Sequence, residues 1–493
     1  MNNSKLSQVE NPIELVSQYG TAGDQQKVID EIYESIESGR IEQTIKGVTG
    51  CGKTFIMANL IKKLNRPALI LAHNKTLAAQ LAEEFSRFFP NNAVHYFVSY
   101  YDYYQPESYI PKSDTFIEKQ TQINEDIEKL RNASTQSLLT RRDTIIVASV
   151  SCIYGLGNPS DYNDLKITVK KGWEYRIDKL VRRLVDMQYD RTQMHLKRGF
   201  FKVRSQMLEV MPSSEDFGYR FTFWGDELEK IQIFDIVTND IVGELDEYII
   251  FPAKQYVTTR DKIKDALPRI ETDMIKRVEM LREEGLLLPA ERLKQRTMAD
   301  LEMLETLGYC SGIENYSSYF DGRNMGEAPS TLIDYFPDDF ITFVDESHIT
   351  LPQIGAMYLG DRSRKSTLVE YGFRLPSALN NRPLKRDEFF DRVGQICYVS
   401  ATPGNFEQGI EEIKLEKPKK AKKNFEETSL AKNSDTEIKE ADTALKNSSD
   451  VNIDDKKTKT VKKTKKSESS DTNVKLVKEK KEKKLKKEIK ESV

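Results

Sequence analysis

Val28, Ile29, Ile32, Tyr33 and Ile36 recur at the spacing of one helical face. That period predicts a helix over about residues 24–37, closed by Gly39. A short strand then ends at Ile45, a glycine-rich turn follows, and a second helix opens near Lys53. Residues 68–72 (ALILA) form an unbroken apolar run, which reads as a strand buried on both faces of a parallel sheet. Asn74 is placed to cap a helix over 75–89, and Pro90 stops it. Apolar runs at 93–98, 144–150, 340–344 and 396–399 predict further strands of the same layer. Strands alternating with helices imply an α/β fold around a parallel sheet.

The period changes to two between about residues 158 and 251. Phe201 and Val203, and then Tyr219, Phe221 and Phe223, alternate with polar residues. This predicts an antiparallel, β-rich insertion. From 261 to 307 the chain is again helical and charge-laced, with breaks expected near Pro268 and Pro289. No internal repeat is found. Residues 414–493 hold 25 Lys, no Arg, 16 acidic residues, no Gly and one aromatic, Phe425. Such a segment buries too little apolar surface to offset its ordering entropy and reads as a disordered, Lys-rich tail. Two readings of it stay open: a solvated tail, or a polybasic tether adding salt-sensitive DNA affinity.

Charge sharpens this division. The tail carries +9 within a total of −3, which leaves −12 on residues 1–413. An acidic body attracts nucleic acid only through local basic residues. No apolar run approaches the roughly 18 residues of a membrane span. The N-terminal sequence MNNSKLSQVENP lacks an apolar signal core, so a cytoplasmic location is expected. Cys51, Cys152, Cys310 and Cys397 are scattered without a C-x-x-C pair, against a disulfide framework or structural zinc site.

Candidate chemistry starts at Gly47-Val48-Thr49-Gly50-Cys51-Gly52-Lys53-Thr54, which fits G-x-x-x-x-G-K-[ST] between a strand and a helix. Glycines let backbone N–H groups curl around phosphate oxygens, Lys53 supplies charge to the β/γ-phosphates, and the Thr54 hydroxyl ligates Mg²⁺. ATP with Mg²⁺ is the expected cofactor. The Cys51 sulfur reads as a small filler of the loop. Asp345 and Glu346 follow the run 340–344. Asp345 would complete the Mg²⁺ shell, and Glu346 would orient and deprotonate the attacking water. Ser400 and Thr402 follow a third strand, where a hydroxyl pair can couple nucleotide state to a DNA-facing surface. Gln25 opens the first helix; it reads either as an adenine-edge contact or as an ordinary helix-start residue.

Residues 99–111 are the most unusual stretch, with Tyr100, Tyr101, Tyr103, Tyr104 and Tyr109 among prolines and polar residues. This predicts a hairpin or loop. Exposed tyrosines suit stacking on bases, worth about 1–3 kcal/mol per base and indifferent to sequence. Lys112, Lys119, Arg131, Arg141 and Arg142 follow and are candidates to hold the phosphate backbone. The competing reading is an aromatic protein–protein patch or local core.

The segments 47–55, 74–80, 96–104, 149–157, 309–316, 345–354 and 399–404 together resemble the UvrB family, the damage-verifying subunits of the bacterial UvrABC excision nuclease. The resemblance runs from about 13 to 406, and the tyrosine hairpin separates it from generic superfamily 2 motors. It implies a RecA-like ATP-binding lobe (13–95, 113–157, 322–413), a DNA-binding hairpin (96–123), a UvrA-interaction domain (158–251) and a helical subdomain (252–321). UvrA would load the chain onto damaged double-stranded DNA, the hairpin would pass between the strands, and UvrC would make the incisions. Tyr100 and Tyr101 would contact the lesion-side strand, while Tyr103 and Tyr104 hold the strands apart.

Arg191, Lys202 and Arg204 fall where the family places basic contacts to UvrA. Lys202 is more often Arg there, and a Lys cannot reproduce a bidentate contact. Ser205 replaces a usual Gly, His73 a usual Pro and Cys51 a usual Ser. Past about Asn405 the match fades where the family continues into a second RecA-like lobe and a UvrC-binding end. Weak nucleotide binding and impaired hydrolysis are therefore expected of this chain alone. The alternatives are a UvrA- and DNA-binding module without an ATPase cycle, as decoy or regulator, and a generic DNA motor.

Overall fold

The computed structural model describes residues 11–48 and 50–404. The predicted Lys-rich tail lies outside them. Six strands form one parallel sheet in the order Glu42–Lys46, Gln395–Ser400, Ile341–Asp345, Ala68–Ala72, Thr144–Ser149 and Ala93–Phe97. The unbroken apolar runs are explained by the layers on either side. Leu69 and Leu71 enter one core with Ile146 and Ala148, while Ala68, Ile70 and Ala72 enter another with Ile145 and Val147. All five residues of Ala68–Ala72 are buried. Helices Gln25–Glu37, Lys53–Leu64 and Lys75–Phe88 follow the predicted bounds closely. The Asn74 side chain accepts the Leu77 N–H at 2.8 Å, the expected cap.

The β-rich insertion is a second sheet in the order Asp190–Arg191, Phe200–Arg204, Met207–Met211, Gly218–Trp224, Glu227–Phe234 and Ile241–Leu245. Its pairings are antiparallel except the first. Phe201, Tyr219, Phe221 and Phe223 point into its own core, the face the alternation predicted. Ser205 has φ +49° in the turn between the strands Phe200–Arg204 and Met207–Met211. A position in the left-handed region favours glycine, which gives the family's usual residue there a physical reason.

Two long helices, Arg260–Glu283 and Leu287–Leu307, pack along each other. The break expected at Pro268 is absent: Pro268 lies inside the first helix. Proline removes one helical N–H, but Ile263, Ala266, Ile270 and Met274 are buried on either side of it. Tertiary packing of that stripe outweighs one lost hydrogen bond. Near Pro289 the chain does turn, at Glu284–Leu286, and Pro289 falls in the first turn of the second helix, where it has no helical bond to lose. No helix among the described residues is long and apolar enough to cross a membrane.

Candidate nucleotide site and tyrosine hairpin

A parallel sheet brings the carboxyl ends of its strands to one edge, and the candidate nucleotide residues gather there. Lys46, Ser400 and Asp345 end three consecutive strands of the sheet, and the Gly47 N–H donates to the Ser400 carbonyl at 3.1 Å. The loop then curls through Gly50 (φ +84°) and Gly52 (φ +82°) into the Lys53–Leu64 helix; Thr49 lies outside the described residues. A Cβ on Gly52 would meet the Gln25 amide nitrogen at 2.4 Å, so this turn requires glycine twice over.

Gln25 is drawn into the loop itself. Its Nε2 donates to the Cys51 carbonyl at 2.8 Å, and its Oε1 accepts the Ala22 N–H at 3.0 Å. In this structure it braces the glycine-rich loop. Cys51 sits partly exposed with its sulfur directed at Gly47, where a Cβ would approach it to 2.5 Å, which is the filler position the sequence suggested.

Lys53 Nζ lies 3.2 Å from the Gly47 carbonyl and 3.7 Å from Glu346 Oε1. Asp345 is buried at the strand end, and burial together with the adjacent Glu346 carboxylate raises its pKa to about 6. Glu346 itself has φ +44°, an uncommon conformation for a side-chain-bearing residue, at the entry to the Ser347–Glu370 helix. His348 Nδ1 is 2.8 Å from Ser400 Oγ and 3.5 Å from Glu346 Oε2, and Ser400 Oγ accepts the Thr402 N–H at 3.0 Å. His348 therefore joins the acidic pair to Ser400 and Thr402 through contacts the sequence did not specify.

The tyrosine stretch is a two-step hairpin. Tyr101–Gln105 pairs with Gln120–Ile123, and Ser108–Ile110 pairs with Thr115–Ile117. Tyr103 and Tyr104 are 51% and 48% exposed. Tyr100 and Tyr101 are half-buried, with ring centroids 4.3 Å apart and hydroxyls 3.0 Å apart, and Tyr104 stacks on Tyr101 at 5.0 Å. Burial pushes the Tyr100 phenol well above its ordinary pKa.

Tyr109 belongs instead to the tip, where it and Phe116 pack on Phe373, at 4.9 and 4.4 Å, beneath the Arg292 guanidinium. Glu107 forms a two-point ion pair with Arg374 at 2.9 and 3.1 Å. Glu107, Phe116, Arg292, Phe373 and Arg374 were not found from the sequence. Only Glu107 and Phe116 lie within the hairpin, and their partners are more than 170 residues away.

The basic residues after the hairpin divide. Lys119 lies 3.3 Å from Glu314, and Lys112 is exposed. Arg131 is not a surface phosphate contact: it is buried, donates to the Val98 carbonyl at 2.9 Å and to Gln255 at 3.2 Å, and lies over the Phe97 ring at 3.9 Å. Burial lowers its pKa to about 10, so it stays charged as an internal strut. Arg141 and Arg142 are paired with Asp143 and Asp339 near the amino ends of the sheet strands.

In the insertion, Arg191 pairs beside Phe201, which brings Arg191, Lys202 and Arg204 to one edge of that sheet. Arg191 and Arg204 are exposed, and Lys202 donates to the Met194 carbonyl at 3.2 Å.

Residues 167–256 match the UvrB interaction domain, 261–322 the UvrB third helical domain, and 19–148 the model described as Type III restriction enzyme, res subunit. Among curated relatives named UvrABC system protein B, that of Caldicellulosiruptor bescii is 55% identical over 394 residues, 80% of this chain and 60% of the relative. Those of Lactococcus lactis subsp. cremoris (strain MG1363) and Micrococcus luteus are 52% and 53% identical, over 81% and 82% of this chain and 58% and 57% of the relatives. The chain thus spans about three fifths of the length of the relatives it matches. With both UvrB-specific domains matched and more than half of the aligned residues identical, this chain is similar to the UvrB family over about four fifths of its length.

Proposed function

We propose that the chain serves nucleotide excision repair as an ATP-binding subunit that probes DNA with the tyrosine hairpin. The observation that carries this reading is the hairpin beside the lobe: Tyr103 and Tyr104 are open to solvent, while Glu107–Arg374 and the Phe373 cluster hold its tip at a distance from its root. An aromatic ribbon supported at both ends can be threaded by a strand and can stack on its bases. The UvrA–UvrC context rests on the family, whose named members are parts of the UvrABC system. UvrA would load the chain through the edge bearing Arg191, Lys202 and Arg204, and UvrC would incise.

The phosphate loop fits ATP. Its glycines open the backbone toward the strand ends, and Lys53 is held 3.7 Å from the Glu346 carboxylate, poised to take up another anion. Mg²⁺ fits the raised pKa of Asp345, because a divalent cation restores the charged form that burial disfavours. Thr54 and Asp345 would hold the ion, which supplies charge neutralisation on the phosphates. Glu346 would then orient water, with His348 and Ser400 fixing its side. The test is UvrA-dependent loading of this chain on an oligonucleotide with one bulky adduct, with and without ATP. A stable complex on adducted but not on plain duplex supports the reading, and equal binding to both refutes it.

A further inference from the structure

We propose that Asp126, Lys129, Arg198 and Asp216 form an ionic clamp that positions the hairpin root from the antiparallel-sheet domain. Lys129 Nζ lies 2.9 and 2.8 Å from the two Asp216 carboxylate oxygens. Arg198 donates to Asp216 at 2.6 Å and to Asp126 at 3.2 Å, and its Nε reaches the Glu215 carbonyl at 3.3 Å. Two residues come from the first turns of the Glu125–Thr140 helix and two from loops of the second sheet. Lys129 and Arg198 are the more buried pair, at 19% and 26% side-chain exposure. Alternating charges linked in series hold each other's geometry better than an isolated surface pair does. Farther along the same helix, Gln136 accepts from Ser214 Oγ at 2.7 Å, so the contact runs along more than one turn.

What makes this more than domain packing is where the helix begins. Its cap is Asn124, the residue that follows the hairpin's last strand. The Asn124 N–H donates to the Tyr100 carbonyl at 2.8 Å, and its side chain donates to Asp102 at 3.1 Å. The same side chain accepts the Asp126 and Ile127 N–H groups at 3.2 and 3.1 Å. A continuous set of bonds therefore runs from Arg198 and Asp216, through Asp126 and the cap, to Tyr100 and Asp102 at the hairpin root. At the far end, Arg198 lies in the connection between the strands carrying Arg191 and Lys202. One short stretch thus presents Arg191 and Arg204 outward and directs Arg198 inward. Force or rearrangement at the basic edge is transmitted to the clamp, and opening the clamp loosens the hairpin root.

The inference rests on the proposed function only for the identity of the partner at that edge, so its test uses the 493-residue chain alone. Amide hydrogen exchange is measured on wild type, Asp216→Asn, Arg198→Met and Arg198→Lys. Losing charge-assisted pairs of this exposure should speed exchange at Asn124, Asp126 and Ile127 about three- to ten-fold in Asp216→Asn and Arg198→Met. Amides of Ile145–Ala148 in the central sheet should be unchanged, and Arg198→Lys should keep most of the root protection. Faster exchange confined to 198–216, with the root unchanged, overturns the proposal. So does acceleration at the central sheet equal to that at the root, which would mean general destabilisation. UvrA is absent throughout, so failure here leaves the repair reading standing, and failure of loading leaves this inference standing.

Discussion

Asp345→Asn should stabilise the ligand-free protein while destroying its response to nucleotide. The Asp345 carboxyl is buried at a strand end beside Glu346, and its pKa rises from 3.8 to about 6. A carboxylate raised on folding weakens the fold above its unfolded pKa, and that loss fades as pH falls through the folded value. Above pH 6 the full difference of about two units applies, or roughly 3 kcal/mol at 1.36 kcal/mol per unit. At pH 5 about half remains, and near pH 3.8 almost none. An asparagine of the same shape has no charge to desolvate. Urea unfolding in EDTA, followed by far-ultraviolet circular dichroism, should place the variant 2–3 kcal/mol above wild type at pH 7.5, with the gap roughly halved at pH 5. Adding Mg²⁺ and ATP should raise wild type and leave the variant nearly unmoved. A variant less stable than wild type at pH 7.5, or a gap independent of pH, would refute the burial argument.

Lys53→Ala should abolish the stabilisation by Mg²⁺–ATP, which for a competent site at 100 times its Kd is about 2.7 kcal/mol; a thermal shift equal to wild type would count against the phosphate site. Tyr104→Ala should weaken binding to single-stranded or adducted DNA by about 1–3 kcal/mol, roughly 5- to 150-fold, with the melting temperature nearly unchanged because the ring is half exposed; unchanged affinity would reject stacking by Tyr104. Arg131→Met should lower stability by about 1–3 kcal/mol, since the buried Val98 carbonyl loses its donor. The salt slope of DNA binding should stay the same in that variant, whereas a slope reduced by about one at wild-type stability would restore Arg131 as a phosphate contact.

The sequence by itself determined the layer and the loop. Ala68–Ala72 could be read because a strand covered on both faces needs apolar residues at every position. The glycine-rich loop between strand and helix could be read because its glycines answer a local demand, positive φ at Gly50 and Gly52. The alternation through Phe221 and Phe223 fixed the second sheet in the same way. These signals are local: a repeat, a cap or a turn constrains neighbours along the chain. Tertiary structure decided what local signals do not encode. It buried Arg131 against Phe97 and turned an expected phosphate contact into a strut. It kept Pro268 within a helix because buried neighbours outweigh one missing hydrogen bond. It placed Glu107 against Arg374 across 267 residues, and joined Asp216 to Lys129 across 87. Charged residues at such separations carry no periodicity, so their pairing appears only when the topology brings their elements together.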